Sequence, residues 1–495
     1  MLSKLRTSFK VGSKYLPAAN FSTANADPGS FDLLRDLNVK DKTMPQFVVG
    51  TQNGFLPRQD PLDQLPSKFS KLEDLLQEMP LMLPNGSKGL LAKGEFGDRV
   101  LRDLPLYDIS DIEDTHVLAG LFRDYTFVAS SYLLEPCDLQ FRKTGDYGHG
   151  RDTLPKNVSV PLWKLAQKIK SKPFMEYALS YALYNWARID KKGPLSYENL
   201  KLVRAFEGGA SEHGFIITHV TMVAYTGQLV DAVDRTLQAT AQNDREKFNQ
   251  AMGDLLNVCR NINDEMETMW TKSKPADYIN FRTFIMGIKN QPMFPKGVIY
   301  EGVSESTQQY RGESGANDSI VPTLDNLLEL TARMPSNPLT EILKDFRTYR
   351  PQGHNAWVDW VEKKARYVGV RKFALSHPDS ALLYLCMLDQ VREFRHRHWL
   401  FTKGYIIAYT SHPVATGGSP IVTWLPNQLG AVLDTMNETC HTLEGLSKSK
   451  QLDPVKAALK NDLEKRAVSQ RQLLDKEVAE LRQKYPNQDK AQVYN

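Results

Sequence analysis

The sequence predicts an all-α fold, and three stretches carry that prediction. Between Val391 and Leu429, Phe394, His398, Phe401 and Tyr405 recur at i, i+4, i+7 and i+11, one stripe of an amphipathic helix. In HGFIITHVTMVAYTGQLVDAVDRTL, Phe215, His219 and Met222 share a helical face. Near the C-terminus Val455, Leu459, Leu463, Ala467, Leu474, Val478 and Leu481 form a third stripe between charged residues.

In chain order, residues 1–52 come first and are expected to be poorly ordered. Met1 to Ala26 carries Lys4, Arg6, Lys10 and Lys14, several hydroxyl residues and no acid before Asp27. That composition fits a mitochondrial presequence; a basic tail on a cytoplasmic protein is the alternative. Asp27 to Gln52 reads as a linker. A small N-terminal domain is expected over 53–206. Its prolines bar helix until Pro66 or Ser67, and Leu118, Leu121, Phe122 and Tyr125 then share a face. Tyr147 to Trp163 is a loop by its Gly and Pro content, and Phe174 to Trp186 a helix with Tyr177, Tyr181 and Tyr184 along one side.

Glycines around Glu207 to Ser211 mark a boundary, and a large helical domain is expected over 207–437. It holds a charged helix from Arg245 to about Trp270, and Arg282 in apolar surroundings, where a guanidinium needs a partner. Gly312 to Ser319 is a loop that approaches something closely. Ser319 or Thr323 begins the helix containing Asp325, and Ser376 to Ser380 begins the helix containing His398. Ala415 to Pro420 reads as a glycine-bearing loop able to act as a mobile lid. Residues 438–495 form an amphipathic helical extension, expected to pack back on the body, with self-association the alternative.

Composition narrows the function. The chain has 495 residues, enough for two domains with a large core. A net charge of +4 provides no basic field for nucleic acid. There is no apolar run of the ~18 residues that a membrane span requires. Cys137, Cys259, Cys386 and Cys440 are scattered without a CxxC pair, which suits buried thiols and argues against zinc or iron–sulfur sites. Cys386 as an iron thiolate is conceivable, but core packing is the better reading.

Arg395 and His398, three apart, are neighbours on a helix surface. An inward imidazole beside a guanidinium could serve a haem, the ring nitrogen on iron and the guanidinium on a propionate. His396 and His398 point to nearly opposite sides of the helix, so at most one is an axial ligand.

RHRHW, followed by SHPVATGGSPIVTWLPNQ, resembles the C-terminal signature of the indoleamine 2,3-dioxygenase family, and the resemblance runs from about Gly54 to Leu429. It implies an all-α fold in which a smaller, mainly helical N-terminal domain caps a large helical domain holding haem b. His398 is then the iron ligand, Arg395 pairs a propionate with Asp325 behind it, and Gly315 and Ser314 lie in the loop against haem and substrate. Phe215 packs on the indole. His219 stands on the distal side, and Tyr181 lies near that pocket. Arg282 pairs the substrate carboxylate. Gly417, Gly418 and Ser419 close the pocket, with Ser419 near the substrate amine.

The implied reaction is cleavage of the indole ring of L-tryptophan by O2 to N-formylkynurenine, the first step of the kynurenine pathway. An electron donor keeps the iron ferrous, and a monomer is expected. The alternative is a haem-binding sensor or structural protein of the same fold with weak or no tryptophan turnover; a third reading takes another indole as substrate. One departure bears on this. Asp277 and Tyr278 stand where the family has an aromatic pair, and Asp277 on the pocket wall would place a negative charge near the substrate carboxylate.

Overall fold

A computed structural model describes residues 26–331, 338–410, 412, 414–447 and 452–484, so the presequence expectation lies outside the described residues. Helices dominate, and the strands among the described residues are two or three residues long. Helix α1, Thr115–Thr144, is capped by the Asp114 side chain accepting from the His116 N–H and ends at Gly145 in the left-handed region. Apolar residues on all its faces, such as Leu118, Phe122, Val128 and Leu133, make it a buried helix.

Helix α2, Ala210–Val223, begins where three backbone N–H groups, of Phe206, Glu207 and Gly208, converge on the Glu212 carboxyl. Gly214 lets α2 lie against the Lys272 carbonyl; a Cβ there would sit 1.8 Å from that oxygen. Helices α3, Thr226–Ala241, and α4, Arg245–Glu267, follow as an antiparallel pair. The charged helix ends at Glu267, short of Trp270, with Thr268 donating to the Glu265 carbonyl.

Helix α5, Ile320–Leu327, carries Asp325, and α6, Gln352–Val368, packs on it through Val358 and Trp357. Helix α7, Pro378–Phe401, starts with proline at its first position, where a missing N–H costs nothing, and continues into a wider π-type turn over Thr402–Ile407. Three helices surround it: α4, α8 (Ile421–Ser447) and α9 (Pro454–Lys484). Helix α9 packs back on the body. Leu463, Ala467 and Leu474 are buried, Arg466 pairs with Asp389, and Glu477 bridges the Trp399 indole N–H and Lys403.

Three expectations are corrected. Tyr147 to Trp163 is not a loop throughout: Thr153–Leu154 pairs parallel with residues of Val298–Tyr300, and a helix runs Lys156–Ile169 from the Pro155 cap. Phe174 to Trp186 is not a helix. It holds one π-type turn, Tyr177–Tyr181, capped by Glu176, after which Trp186–Arg188 pairs antiparallel with Leu200–Leu202. The side chain of Asn185 holds the Arg204 backbone from both sides, and this distant pairing outcompetes local helix propensity. Nor is Asp27 to Gln52 a loose linker. Phe47 and Val49 are buried, Leu34 bridges to Gly50, and the Phe31 ring packs edge-on against Trp357 at 5.2 Å.

Candidate functional site

Helices α2 and α7, the Glu313–Gly315 loop and the Ala415–Ile421 segment border a cavity that is partly open to solvent. Phe215, Met222, Met266, Phe394, Phe401 and Leu425 give it largely apolar walls.

His398 reaches the cavity from α7. Neither of its ring nitrogens is hydrogen-bonded to a described residue, and burial, with His219 nearby, lowers its pKa to about 4. The ring is therefore neutral at physiological pH, the state in which imidazole can ligate a metal. His396 points instead toward Arg392, Glu393, Lys403 and Glu477 on the side covered by α9. Cys386 is buried away from the cavity, and burial pushes its thiol up to about 11. Among the described residues there is no cluster of three metal-ligating side chains, so a lone imidazole suits a group that brings its own coordination sphere.

His219 enters from α2, one turn beyond Phe215. Its Nδ1 lies 2.7 Å from the Phe215 carbonyl oxygen. A carbonyl only accepts, so Nδ1 carries the proton and Nε2 keeps its lone pair. Burial lowers its pKa.

Arg395, one turn before His398, donates from Nη2 to both oxygens of Asp325, at 2.9 and 2.8 Å. Arg347 lies 3.5 Å from the same carboxylate. Neither Arg395 nor Asp325 lines the cavity wall; the pair stands behind it.

The loop bearing Ser314 and Gly315 is fixed by a close backbone contact. A Cβ on Gly312 would sit 2.2 Å from the Gly287 nitrogen, and one on Gly287 would sit 2.0 Å from the Gly312 nitrogen. The Gly287 N–H in turn donates to the Thr416 carbonyl at 2.9 Å, which ties the second loop down. That loop is a closed turn. Ala415 N–H donates to the Ser419 carbonyl at 2.9 Å, Gln291 holds the Ala415 carbonyl at 2.7 Å, and Arg311 holds that of Gly417 at 2.8 Å. Ser419, Ala415 and Thr416 line the cavity. Gly417 packs on Phe346 and Ser314, and Gly418 takes a positive φ of 82°; both shape the turn without facing the cavity.

Two further predicted residues stand back from the wall. Arg282 is fully buried. It donates to the Tyr147 hydroxyl at 3.2 Å and the Val414 carbonyl at 2.9 Å, and its Nε lacks a partner. Among the described residues it has no carboxylate, so the structural ion pair that its burial called for is not formed. Val414 adjoins Ala415, so the guanidinium lies one residue behind the wall. Tyr181 packs on Phe215, ring centres 6.5 Å apart, and is not itself part of the wall. Asp277 faces away and accepts from the Ser211 hydroxyl at 2.6 Å; Tyr278 supplies an aromatic wall, 5.3 Å from Phe215. The negative charge expected beside the substrate is therefore held outside the cavity.

Sequence reasoning passed over Glu313. It lines the cavity and is 3% exposed, and burial with Glu176 nearby pushes its pKa up to about 8. The signal was an acid set beside Gly312 in a loop already read as making a close approach. Asp318, also on the wall, accepts from the Ile320 N–H at 2.7 Å.

The family model described as "Indoleamine 2,3-dioxygenase" matches residues 43–442. The chain is 23% identical over 323 residues to indoleamine 2,3-dioxygenase 1 of Mus musculus, covering 65% of this chain and 74% of that protein. It is 24% identical over 385 residues to indoleamine 2,3-dioxygenase acdA of Aspergillus candidus, covering 74% and 89%. It is also 26% identical over 318 residues to a myoglobin of Haliotis madaka, covering 63% and 76%. Helix α9 lies beyond the matched region.

Proposed function

The chain belongs to the indoleamine 2,3-dioxygenase family, and from that premise we propose that it is a haem-dependent dioxygenase that cleaves the indole ring of L-tryptophan with O2, giving N-formylkynurenine. The observation that carries this reading is His398: a neutral imidazole with no hydrogen-bond partner among the described residues, facing a largely apolar cavity, with the buried Arg395–Asp325 pair one helical turn away. These residues fit haem b. His398 would hold the iron, and Arg395, its charge balanced by Asp325, would meet a propionate.

Haem iron supplies the oxygen chemistry that side chains cannot. The chain's own residues bind and orient. Phe215 and Tyr278 pack the indole ring. Nε2 of His219 accepts from the indole N–H, since its Nδ1 is already committed to the Phe215 carbonyl. The apolar walls exclude water from the reacting C2–C3 bond. Both oxygen atoms enter the product, so no proton has to leave the site and no general base is needed. Arg282 keeps an unpartnered Nε beside its bond to the Val414 carbonyl, and the substrate carboxylate is the anion that this N–H would meet.

A second reading, a haem protein of the same fold with little tryptophan turnover, is favoured by the bond of Arg282 to the Val414 carbonyl and by the similarity to the Haliotis madaka myoglobin. One experiment separates them. The reduced, haem-loaded protein is mixed with tryptophan and O2, and the N-formylkynurenine chromophore is followed. Product formation at a steady rate supports the dioxygenase. A Soret band with no product selects the second reading, and the absence of any Soret band rejects both.

A further inference from the structure

Helix α9 lies beyond the residues that the family model matches, yet it follows α7, the helix that carries His398, almost end to end. The two run parallel. Lys456 pairs with Asp379 at 2.7 Å, Arg466 pairs with Asp389 at 2.8 Å, Gln470 accepts from Arg392 at 2.8 Å, and Glu477 meets Trp399 and Lys403. Leu463, Ala467 and Leu474 are buried along the same helix.

The last of these polar contacts lies beside His398. Trp399, the next residue, is 1% exposed, and its indole N–H donates to one Glu477 oxygen at 2.8 Å. Lys403 donates to the other oxygen at 2.7 Å, and its ammonium stands 5.5 Å from the centre of the Trp399 ring. Burial works against the charge on Glu477, but the Lys403 and Trp399 donors hold its carboxyl below the ordinary range, so it is an anion at neutral pH. Trp399 belongs to α7 and Lys403 to the π-type turn that follows, so Glu477 ties the two together across the point where the helix widens. The His398 carbonyl sits at that point. It accepts from the Thr402 N–H and from the Thr402 hydroxyl, the latter at 3.0 Å. Thr402, Tyr405 and Ile406 of the same turn line the cavity, whereas Trp399 and Lys403 do not. Glu477 thus grips, from outside the cavity, the backbone that aims the His398 ring.

We propose that α9 is a strap on α7 and that Glu477 is a positioning residue for His398, fixing the tilt at which the imidazole meets the haem iron. This rests on the reading of His398 as the iron ligand. A junction between α and π winding can rewind at small cost unless something outside holds it. Without Glu477 the buried Trp399 N–H has lost its acceptor and Lys403 is released, so the turn has more than one winding and the ring more than one tilt. Groups behind a metal ligand set its orientation, and with it the strength of the metal bond. The Arg466–Asp389 contact lies more than two helical turns before His398, so its loss loosens the packing of α9 without reaching the junction.

The test uses the full-length, haem-loaded protein in the ferrous state. Resonance Raman reads the iron–histidine stretching band, and transfer of haem to excess apomyoglobin gives the rate of haem loss. Glu477→Ala is expected to shift or broaden the band and to speed haem loss about tenfold, the factor that one charge-assisted hydrogen bond is worth. Glu477→Gln keeps a carbonyl oxygen for the Trp399 N–H and is expected to stay close to wild type. Arg466→Gln is expected to leave the band unchanged. An equal shift in Arg466→Gln overturns the proposal, because α9 would then act by general packing. Should Glu477→Ala not fold, Trp399→Phe removes the same hydrogen bond from the other side: a shifted band upholds the proposal and an unchanged one overturns it. A wild type without a Soret band rejects the dioxygenase reading and the strap together. A normal wild-type band that Glu477→Ala leaves unaltered rejects the strap alone.

Discussion

Replacing Asp325 strips the counter-charge from two arginines at once. Its carboxylate is 1% exposed, accepts from Arg395 at 2.9 and 2.8 Å, and lies 3.5 Å from Arg347. Asp325→Asn leaves both guanidiniums buried with their charges uncompensated. Breaking a buried pair from one side costs roughly 3–5 kcal/mol, because the stranded charge cannot recover its hydration. Arg395→Met is expected to cost less, about 1.5–3 kcal/mol, because Asp325 then retains Arg347 and the methionine fills part of the vacated volume. The predicted order is therefore Asp325→Asn more damaging than Arg395→Met, by about 1 kcal/mol or more. Guanidinium denaturation of the unloaded protein, followed by tryptophan fluorescence, gives both values. A loss below about 1 kcal/mol for Asp325→Asn, or the reverse order, refutes the idea that this carboxylate balances two buried charges.

Three further outcomes are expected. His398→Ala abolishes the Soret band of the haem-loaded protein and His396→Ala preserves it; loss with the second change alone moves the ligand to His396. Glu313 has a folded pKa raised from 4.5 to about 8, so its neutral form is favoured and its contribution is full below pH 4.5 and lost as pH rises through 8. Glu313→Gln is thus expected to gain stability relative to wild type between pH 5.5 and 8.5 in denaturation midpoints, and a difference independent of pH contradicts the buried, unpaired carboxyl. Gly312→Ala forces a Cβ to within 2.2 Å of the Gly287 nitrogen and 2.5 Å of the Ile285 oxygen, so the loop must move. The expected cost is about 1–3 kcal/mol together with weaker haem retention, checked by melting and by dialysis of the loaded protein, and an unchanged melting temperature would show that the loop is not pinned there.

What the sequence by itself determined was what neighbours a few residues apart can settle. The stripe through His398, the amphipathic run through Leu463 and Leu474 and the placing of His396 and His398 on opposite sides of one helix all follow from a repeat of 3.6 residues, whereas the assignment of His398 as the ligand came from resemblance. The Arg395–Asp325 pairing came from resemblance rather than spacing, since the two lie on different helices. Tertiary structure alone decided the rest, because each outcome depends on a partner far along the chain. Trp186 found Leu202 and broke an otherwise plausible helix. Phe31 found Trp357 and turned a linker into core. Asp277 found Ser211 and left the cavity wall, Arg282 found Val414 and stopped just behind it, and Gly312 met Gly287 and set Glu313 into the cavity. Local periodicity states which face of a helix is apolar; it does not state which distant donor a buried polar side chain will meet, and that meeting governs the charge inside the site.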